Sequence, residues 1–451
     1  LDVGVQAEIL AMLDSLRREL GMALVLVTHD LGVVAAHADR VAVMYAGRIV
    51  ESGPSRQVLG APGMPYTAAL LGSTPRVDAP ARRRLVAISG RPPDLRRRPP
   101  GCAFAPRCPF AVDECRTEVP ARVPLEPGHD AACLRTGEVD LRRFRDSADV
   151  RRTVHLGGDG SAAEATSSSG AEPVAEPVAD SVADPAVPLA EFDDVRLHYP
   201  VRSGLLRRTT DHVRAVDGVS LRLWPGRTLA LVGESGSGKT SLTRTLLRLE
   251  QPTGGTVRYD GIDVTAPDRT QLSRLQREVQ VVFQNPYASL DPRMTVRQIL
   301  SEPLRVHAVP AVDDVLVGLL DSVGLDRSAL ALLPRAFSGG QRQRIAIARA
   351  LALKPRLIVC DEAVSALDVS IQAQVLNLLA DLQEATGVAY LFITHDLAVV
   401  RSVAHRVAVM RGGVVVEQGD AEQIYRDPAH EYTKALLAMA PRDPRDERTT
   451  A

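Results

Sequence analysis

The sequence predicts an α/β fold, and three features carry this prediction. The apolar run at 228–232 leads directly into a glycine-rich loop that opens a helical segment. A second apolar run, at 357–360, ends in the acids Asp361 and Glu362. Apolar runs of strand length also alternate with helical apolar spacing near the amino terminus. Together these features predict the strand, loop and helix order of a P-loop NTPase.

The glycine-rich loop reads Gly-Glu-Ser-Gly-Ser-Gly-Lys-Thr at 233–240 and fits the pattern G-x-x-x-x-G-K-[ST]. Its glycines let backbone N–H groups curl around phosphates, Lys239 can reach the β- and γ-phosphates, and Thr240 can supply a hydroxyl to Mg²⁺. A plain glycine turn is the alternative, and the acidic strand end downstream disfavours it. The predicted nucleotide-binding residues of this segment are Gly233, Ser235, Gly236, Gly238, Lys239, Thr240 and Ser241.

The two acids after the second apolar run predict a magnesium and water-activating site. We expect Asp361 to hold Mg²⁺, and Glu362, one residue on, to act as general base on the attacking water. An acidic pair after a strand is more often the solvated start of a helix. The phosphate loop with Lys239 in the same chain favours the catalytic interpretation.

Bulk composition excludes several classes of protein. The chain has 451 residues, of which 45% are hydrophobic and 24% charged, so a globular core is possible. A net charge of −1 provides no general attraction to nucleic acid. No apolar run approaches the roughly 20 residues that span a bilayer, and no signal peptide is visible. We therefore expect a protein that lies at the cytoplasmic side of the cell membrane without crossing it.

The chain contains an internal repeat at a single offset of 366 residues. We therefore expect the end of one domain followed by a complete copy of the same domain, in a partial sequence. The first copy lacks a phosphate loop, and we expect its sheet edges to be unpaired. The matching pairs are 1–7 with 367–373, 28–31 with 394–397, 40–44 with 406–410, and 65–67 with 431–433.

Changes in composition divide the chain further, and we predict local structure for the first copy. There we expect a helix over 2–20, a strand over 23–28 and a hairpin of strands at 41–45 and 48–51. The predicted parts are the carboxy-terminal fragment of a first nucleotide-binding domain at 1–72, a Pro- and Arg-rich extension with four cysteines at 73–140, a flexible Ala/Pro/Ser linker at 141–188, a complete second domain at 189–440 and a disordered tail at 441–451.

A serine and two glycines open another helical run between the phosphate loop and the acids. Phe337-Ser338-Gly339-Gly340-Gln341 precedes an apolar-periodic segment at 342–353, and a helix start of this kind can bind an anion. The order of phosphate loop, Gln284, this segment, Asp361-Glu362 and His395 resembles that of ABC-transporter nucleotide-binding domains. The segment at 338–341 corresponds to the signature of that family.

The resemblance implies roles for further residues. Tyr199 matches the aromatic that stacks on adenine, Gln284 the glutamine that contacts Mg²⁺ and water, and His395 the histidine at the γ-phosphate. In this family two domains dimerise head to tail, so Ser338, Gly339, Gly340 and Gln341 would serve the ATP of a partner domain, with Asp368 at the interface. The partner would be the missing upstream part of the same chain or a second copy.

Four cysteines, Cys102, Cys108, Cys115 and Cys133, lie close together in the extension. Their spacing is not that of a standard zinc finger, and four thiolates suit either a [4Fe–4S] cluster or tetrahedral Zn²⁺. The segment resembles the extension of oligopeptide/dipeptide importer ATPases, which favours the cluster over zinc or no metal. We expect the nearby His129 to be a solvated loop residue.

These resemblances predict an ATPase that powers peptide import with ATP and Mg²⁺. The segment Asn285–Pro292 after Gln284 also resembles peptide and nickel importers. The implied partners are integral-membrane permease subunits and, indirectly, an extracytoplasmic solute-binding protein, with the chain peripheral to the membrane. Import of nickel or a glutathione-type solute and a soluble tandem ABC ATPase are the alternatives.

Overall fold

The structure of the protein is a computed structural model that describes residues 3–88, 90, 93–146, 187–203 and 208–440. Most of the predicted linker at 141–188 and the whole predicted tail at 441–451 lie outside the described residues.

The first copy contains two of its three predicted features. The elements of this part are α1 (Val3–Leu20), α2 (Leu31–His37), β1 (Arg40–Tyr45), β2 (Arg48–Pro54), α3 (Ser55–Gly60) and α4 (Pro65–Ser73). The predicted helix and hairpin are therefore confirmed. The predicted strand over 23–28 is wrong, because this segment has no regular structure and the side chains of Val25 and Val27 are 89% and 93% exposed.

The cysteine-bearing extension continues the hairpin of the first copy. It contains α5 (Glu114–Thr117), β3 (Val123–Glu126), β4 (His129–Ala131) and α6 (Leu141–Asp146). The antiparallel sheet has the order β1-β2-β4-β3, so β4 pairs with β2, and β1 lies at an edge of this sheet, where its equivalent β13 pairs with β7. His129 is 3% exposed, and its Nε2 lies 2.8 Å from Oε1 of the fully buried Glu51. The expectation of a solvated His129 is wrong, because strand pairing carries the residue into the core.

The second domain has the α/β architecture that the sequence predicts. Its first half comprises β5 (Ala190–Ser203), β6 (Arg208–Leu223), β7 (Thr228–Val232), α7 (Lys239–Leu246), β8 (Gly254–Tyr259), β9 (Ile262–Asp263), α8 (Arg269–Glu278), β10 (Val279–Val282), α9 (Pro286–Ser289), α10 (Val296–Val306) and α11 (Asp313–Ser322). Its second half comprises α12 (Gly339–Leu351), β11 (Leu357–Asp361), α13 (Val369–Thr386), β12 (Ala389–Thr394), α14 (Leu397–Val403), β13 (Arg406–Arg411), β14 (Val414–Asp420), α15 (Ala421–Arg426) and α16 (Glu431–Met439).

A six-stranded sheet organises this domain and places its functional loops. The strand order is β10-β11-β12-β7-β13-β14, parallel except for the antiparallel pair β13–β14. An antiparallel sheet of order β6-β5-β8-β9 packs with it around a shared apolar core. The adjacent strands β11, β12 and β7 are almost entirely buried. Since ligands of open α/β sheets bind at the carboxyl ends of the strands, the loops after these three strands form one candidate site.

The internal repeat is also visible in the structure. Strands β1 and β2 carry a bulge between Val43 and Met44, and β13 and β14 carry one between Val409 and Met410. Met410 is fully buried because β13 pairs with β7, whereas Met44 is 61% exposed. None of the described helices is both long and apolar enough to cross a lipid bilayer.

Candidate functional site

The loop between β7 and α7 forms a tight cradle. Gly233 and Gly238 have positive φ, and a Cβ atom at either position would lie about 2 Å from a backbone carbonyl oxygen, that of Met410 or of Ala215. Only glycine fits this close approach. The side chain of Lys239 folds back into the loop, where its Nζ donates 2.7 Å hydrogen bonds to the carbonyls of Gly233 and Glu234.

The charge of Lys239 is therefore concentrated where phosphate groups are expected. The residue is only 5% exposed, so water screens its ammonium group poorly. Among the other predicted loop residues, Ser235 and Gly236 are exposed, and Thr240 and Ser241 lie in the first turn of α7. The donor set of backbone N–H groups, one buried ammonium and hydroxyls fits a triphosphate.

Thr240 follows β7 and Asp361 ends β11, and the two side chains meet although β12 lies between these strands. The Thr240 hydroxyl donates a 3.3 Å hydrogen bond to Oδ1 of Asp361, which ends β11. Burial raises the pKa of Asp361, and the hydroxyl bond opposes this shift. A hydroxyl and a carboxylate side by side are hard oxygen ligands of the kind that Mg²⁺ prefers. The residues present thus fit the expected ion.

Glu362 bonds to two side chains from neighbouring loops. Gln284 Nε2 donates a 2.6 Å hydrogen bond to Glu362 Oε2, and His395 Nδ1 lies 3.5 Å from Glu362 Oε1. The interaction with His395 lowers the pKa of Glu362, and the same interaction raises the pKa of His395. Glu362 has a φ of +48°, a conformation that costs energy for a residue with a side chain. The structure therefore joins the three residues predicted to be catalytic.

The signature segment forms the start of α12. Ser338 and Gln341 make a reciprocal capping box: the Ser338 side chain accepts from the Gln341 N–H, and the Gln341 side chain accepts from the Ser338 N–H. Gly339 follows the cap, and at Gly340 a Cβ atom would lie 2.2 Å from Ile371 Cγ2 of α13. The small residues thus let α12 approach α13 closely.

The last two predicted residues are Asp368, at the start of α13, and Tyr199, in β5. Asp368 caps α13, accepting hydrogen bonds from the Ile371 N–H at 3.1 Å and the Ser370 hydroxyl at 2.8 Å. Tyr199 lies in β5 with its ring 37% exposed, and its hydroxyl bonds to Glu250. Burial, together with Glu250, raises the pKa of Tyr199, while the Ser241 hydroxyl beside it lowers that pKa. Tyr199 is therefore next to the first turn of α7.

Known proteins are similar to this chain over nearly its whole length. A family model described as "ABC transporter" matches residues 216–365, and one described as "Oligopeptide/dipeptide transporter, C-terminal region" matches 50–115 and 416–450. The "Oligopeptide transport ATP-binding protein OppD" of Mycobacterium tuberculosis is 46% identical over 443 residues, covering 98% of this chain and 69% of that protein. The chain belongs to this family of ABC-transporter ATP-binding proteins.

A second curated relative and a solved ABC cassette are also similar to this chain. The "Glutathione import ATP-binding protein GsiA" of Escherichia coli K12 is 42% identical over 446 residues, covering 98% of this chain and 59% of that protein. The dimeric structure of a bacterial ABC transporter cassette matches 51% of this chain and 98% of its own, with 28% identity and a TM-score of 0.45. The family model over 216–365 and the 46% identity to OppD identify the second domain as an ABC ATPase and the chain as an ATP-binding protein of this transporter family.

The cysteines of the extension lie together but do not form a metal site as they stand. Cys102, Cys108, Cys115 and Cys133 line one apolar cavity together with Phe104 and Phe110. Burial raises the pKa of Cys102 and Cys133, and raises that of Cys108 to about 12. Across the described residues, no three or more His, Cys, Asp or Glu side chains are arranged to hold a metal ion. The four sulfur atoms thus share a cavity, but the described side chains by themselves do not show a cluster.

Two residues that the sequence analysis did not assign to the site contact it. The Tyr432 hydroxyl of α16 accepts a 3.2 Å hydrogen bond from the Glu234 N–H of the phosphate loop. Ser365 donates a 3.0 Å hydrogen bond to the carbonyl of Glu362. Tyr432 was visible as part of the internal repeat with Tyr66, but only the fold shows that its helix returns to the loop.

Proposed function

We propose that this ABC ATPase powers the import of peptides through a membrane transporter. The observation that carries the proposal is the 46% identity to an oligopeptide transport ATP-binding protein over 98% of the chain. In such a transporter the chain would act from the cytoplasmic face on integral-membrane permease subunits, and an extracytoplasmic binding protein would deliver the solute.

Hydrolysis would use the residues gathered at the carboxyl ends of β7, β11 and β12. Lys239 and the loop N–H groups bind the phosphates, and Tyr199 stacks on the base. Thr240, Asp361 and Gln284 would hold Mg²⁺, which supplies charge neutralisation at the β- and γ-phosphates. Glu362 then accepts the proton of the attacking water, because its pKa is held low and it is unprotonated at neutral pH.

His395 and Gln284 position the base in this scheme. Both contact the carboxylate of Glu362, so they restrict its rotation before water binds. His395, with its pKa raised, can also carry the positive charge that a γ-phosphate attracts. Pre-orientation of this kind lowers the barrier because little reorganisation remains for the transition state.

We further propose that Ser338, Gly339, Gly340 and Gln341 complete the site of a second nucleotide-binding domain. The capped start of α12 presents N–H groups and a hydroxyl to an incoming anion. Asp368 would lie at the same domain interface. The partner domain is either a further part of the full-length protein or a second copy of this chain.

The transported solute can be tested in proteoliposomes that contain the chain and its permease subunits. The two curated relatives are named for oligopeptide transport and for glutathione import. We expect ATP-driven uptake of labelled oligopeptides, with little uptake of glutathione. Uptake of glutathione without uptake of the other peptides would instead assign this chain a solute of the kind for which the second relative is named. Absence of uptake of either class, while copurification with the permease persists, would refute the import proposal.

We also propose that the four cysteines of the extension receive a [4Fe–4S] cluster, with zinc as the alternative. Their common cavity supplies the four sulfur donors that a cluster needs, although the loops would have to close around it because no metal-binding arrangement is present among the described side chains. Anaerobic purification should give a brown protein with broad visible absorbance. Colourless protein with equimolar zinc, or without metal, would contradict the cluster.

A further inference from the structure

Residues 77–88 run from the first copy across the surface of the second domain, and we name them the strap. Their apolar side chains enter three different cores. Val77 packs in the core beside α14, Leu85 in the helical core of the second domain, and Val86 and Ile88 in the core of the extension. All four side chains are at most 8% exposed. The strap is therefore anchored by its apolar side chains in three cores.

Polar side chains of α13 and α14 bind the backbone of the strap. Asn377 binds both groups of one residue: its Oδ1 accepts from the Leu85 N–H at 3.1 Å, and its Nδ2 donates to the Leu85 carbonyl at 2.9 Å. The backbone carbonyl of Arg401 accepts from the Arg82 N–H at 2.9 Å, and the Arg401 Nε donates to the Ala79 carbonyl at 2.9 Å. These bonds hold backbone groups of Ala79, Arg82 and Leu85 against α13 and α14.

Gln374 extends this contact to the signature helix and the cysteines. Its Nε2 donates to the Ile88 carbonyl at 2.5 Å, and its Oε1 accepts from Arg344 of α12 at 2.9 Å. The same Ile88 carbonyl accepts a 3.2 Å bond from Arg107, which lies between Cys102 and Cys108. One carbonyl of the strap thus joins the cysteine-bearing extension to α13 and, through Gln374, to α12.

The internal repeat shows that only the second copy carries these partners. The residues 366 positions before Gln374, Asn377 and Arg401 are Glu8, Ala11 and Ala35. An alanine provides no side-chain hydrogen bond, and a carboxylate cannot donate to a carbonyl. The acids that pair with Arg84, namely Asp381 and Glu384, correspond to Ser15 and Arg18. The first copy's own helices therefore cannot bind the strap in this way.

We propose that the strap is a docking segment by which the extension of the first cassette recognises the α13–α14 face of the second cassette. The recognition is specific because its donors and acceptors occur in one copy of the repeat and not in the other. It ties the cysteine-bearing extension to α12 and α13, the helices that Ser338 and Asp368 cap, and it is separate from the nucleotide site.

Limited trypsin digestion tests the proposal, because Arg82, Arg83 and Arg84 place three cleavage sites in the strap. Docking protects them, since a protease needs a locally opened segment. The triple variant Gln374→Glu, Asn377→Ala, Arg401→Ala gives the second copy the residues of the first. We expect cleavage in the strap to be at least about tenfold faster, because several hydrogen bonds are lost together. Affinity for ATP should be unchanged, which shows that the domain remains folded.

Two further variants keep the experiment decisive. Asn377→Ala alone removes both bonds to Leu85 and should speed cleavage by about fivefold even if the triple variant does not fold. Gln276→Glu makes the same amide-to-carboxylate change at an exposed position of α8, away from the strap, and should leave cleavage unchanged. Equal cleavage rates in wild type and Asn377→Ala, or equal acceleration by Gln276→Glu, would overturn the proposal.

Discussion

Gln284 donates a 2.6 Å hydrogen bond to one carboxylate oxygen of Glu362, linking the loop after β10 to the end of β11. The two residues are 78 positions apart in the chain. Because β10 and β11 are adjacent parallel strands, their carboxyl ends lie at the same sheet edge. The link joins the loop that leads to α9 to the carboxylate that we propose as the catalytic base.

Replacement of Lys239 by alanine should weaken ATP binding by roughly 10- to 100-fold, because hydrogen bonds from a charged group contribute about 1.5 to 3 kcal/mol. Isothermal titration calorimetry measures the affinity. Lys434→Ala is the matched control, since Lys434 forms an exposed ion pair with Glu431 on α16. Unchanged affinity in Lys239→Ala would remove the basis for the nucleotide site.

Substitution of Glu362 by glutamine should separate binding from hydrolysis. The amide keeps the size of the side chain but cannot accept a proton, so we expect turnover to fall by about 10²- to 10⁴-fold while ATP binding persists. Phosphate release under saturating ATP measures turnover. Glu302→Gln, at an exposed position of α10, should behave as wild type. A variant with full turnover would exclude Glu362 as the base.

The pairing of His395 with Glu362 predicts a pH-dependent stability. The folded-state pKa of His395 is raised above 6.5, so its contribution is complete below pH 6.5 and is lost as pH rises through the folded-state pKa. The pKa of Glu362 is lowered below 4.5, so its contribution is present above pH 4.5 and is lost as pH falls through the folded-state pKa.

The free energy of unfolding of wild type, relative to His395→Gln, should therefore be largest between pH 4.5 and 6.5 and should shrink as pH rises through the folded-state pKa of His395. Urea denaturation at several pH values measures this difference. His212→Gln, at an exposed position of β6, should show no such trend. A difference that grows with rising pH would contradict the ion pair.

Two inactive variants should restore activity when they are mixed, if the signature acts on a partner's nucleotide. Lys239→Ala removes one phosphate loop, and Ser338→Arg blocks one signature. A head-to-tail pair of the two variants contains one intact composite site, so we expect ATPase activity to return in the mixture, whereas neither variant alone is active. Dilution should abolish the recovered activity. A mixture as inactive as its components would show that the signature serves its own chain.

The buried pair of Glu51 and His129 should hold the extension to the first copy. Glu51 Oε1 also accepts a 2.7 Å bond from the Gly63 N–H, so Glu51→Ala leaves two buried donors without an acceptor. We expect a loss of about 3 kcal/mol in the free energy of unfolding. The double variant with His129→Ala should recover part of it, since removing both partners is less costly. Glu126→Ala, on exposed β3, is the control.

Motifs with short spacing could be assigned from the sequence. The phosphate loop at 233–240 and the pair Asp361-Glu362 are local, and their chemistry depends on residue types that are adjacent in the chain. The apolar pattern of 228–232 and 357–360 likewise identified strands that are buried on both faces. The internal repeat predicted that helix and hairpin elements of the two copies would agree, and their bounds do agree over 40–73 and 406–439.

Only the tertiary structure decided which of these segments find strand partners and which of their side chains are buried. Residues 23–28 have a strand-like sequence, but a parallel strand forms only beside partners, and its equivalent β12 lies between β11 and β7. The same reason makes Met410 buried and Met44 exposed, and it places His129 against Glu51. Residue type sets the chemistry that a side chain can do, whereas contacts between residues distant in sequence determine its neighbours, and those contacts follow from the packing of the whole chain.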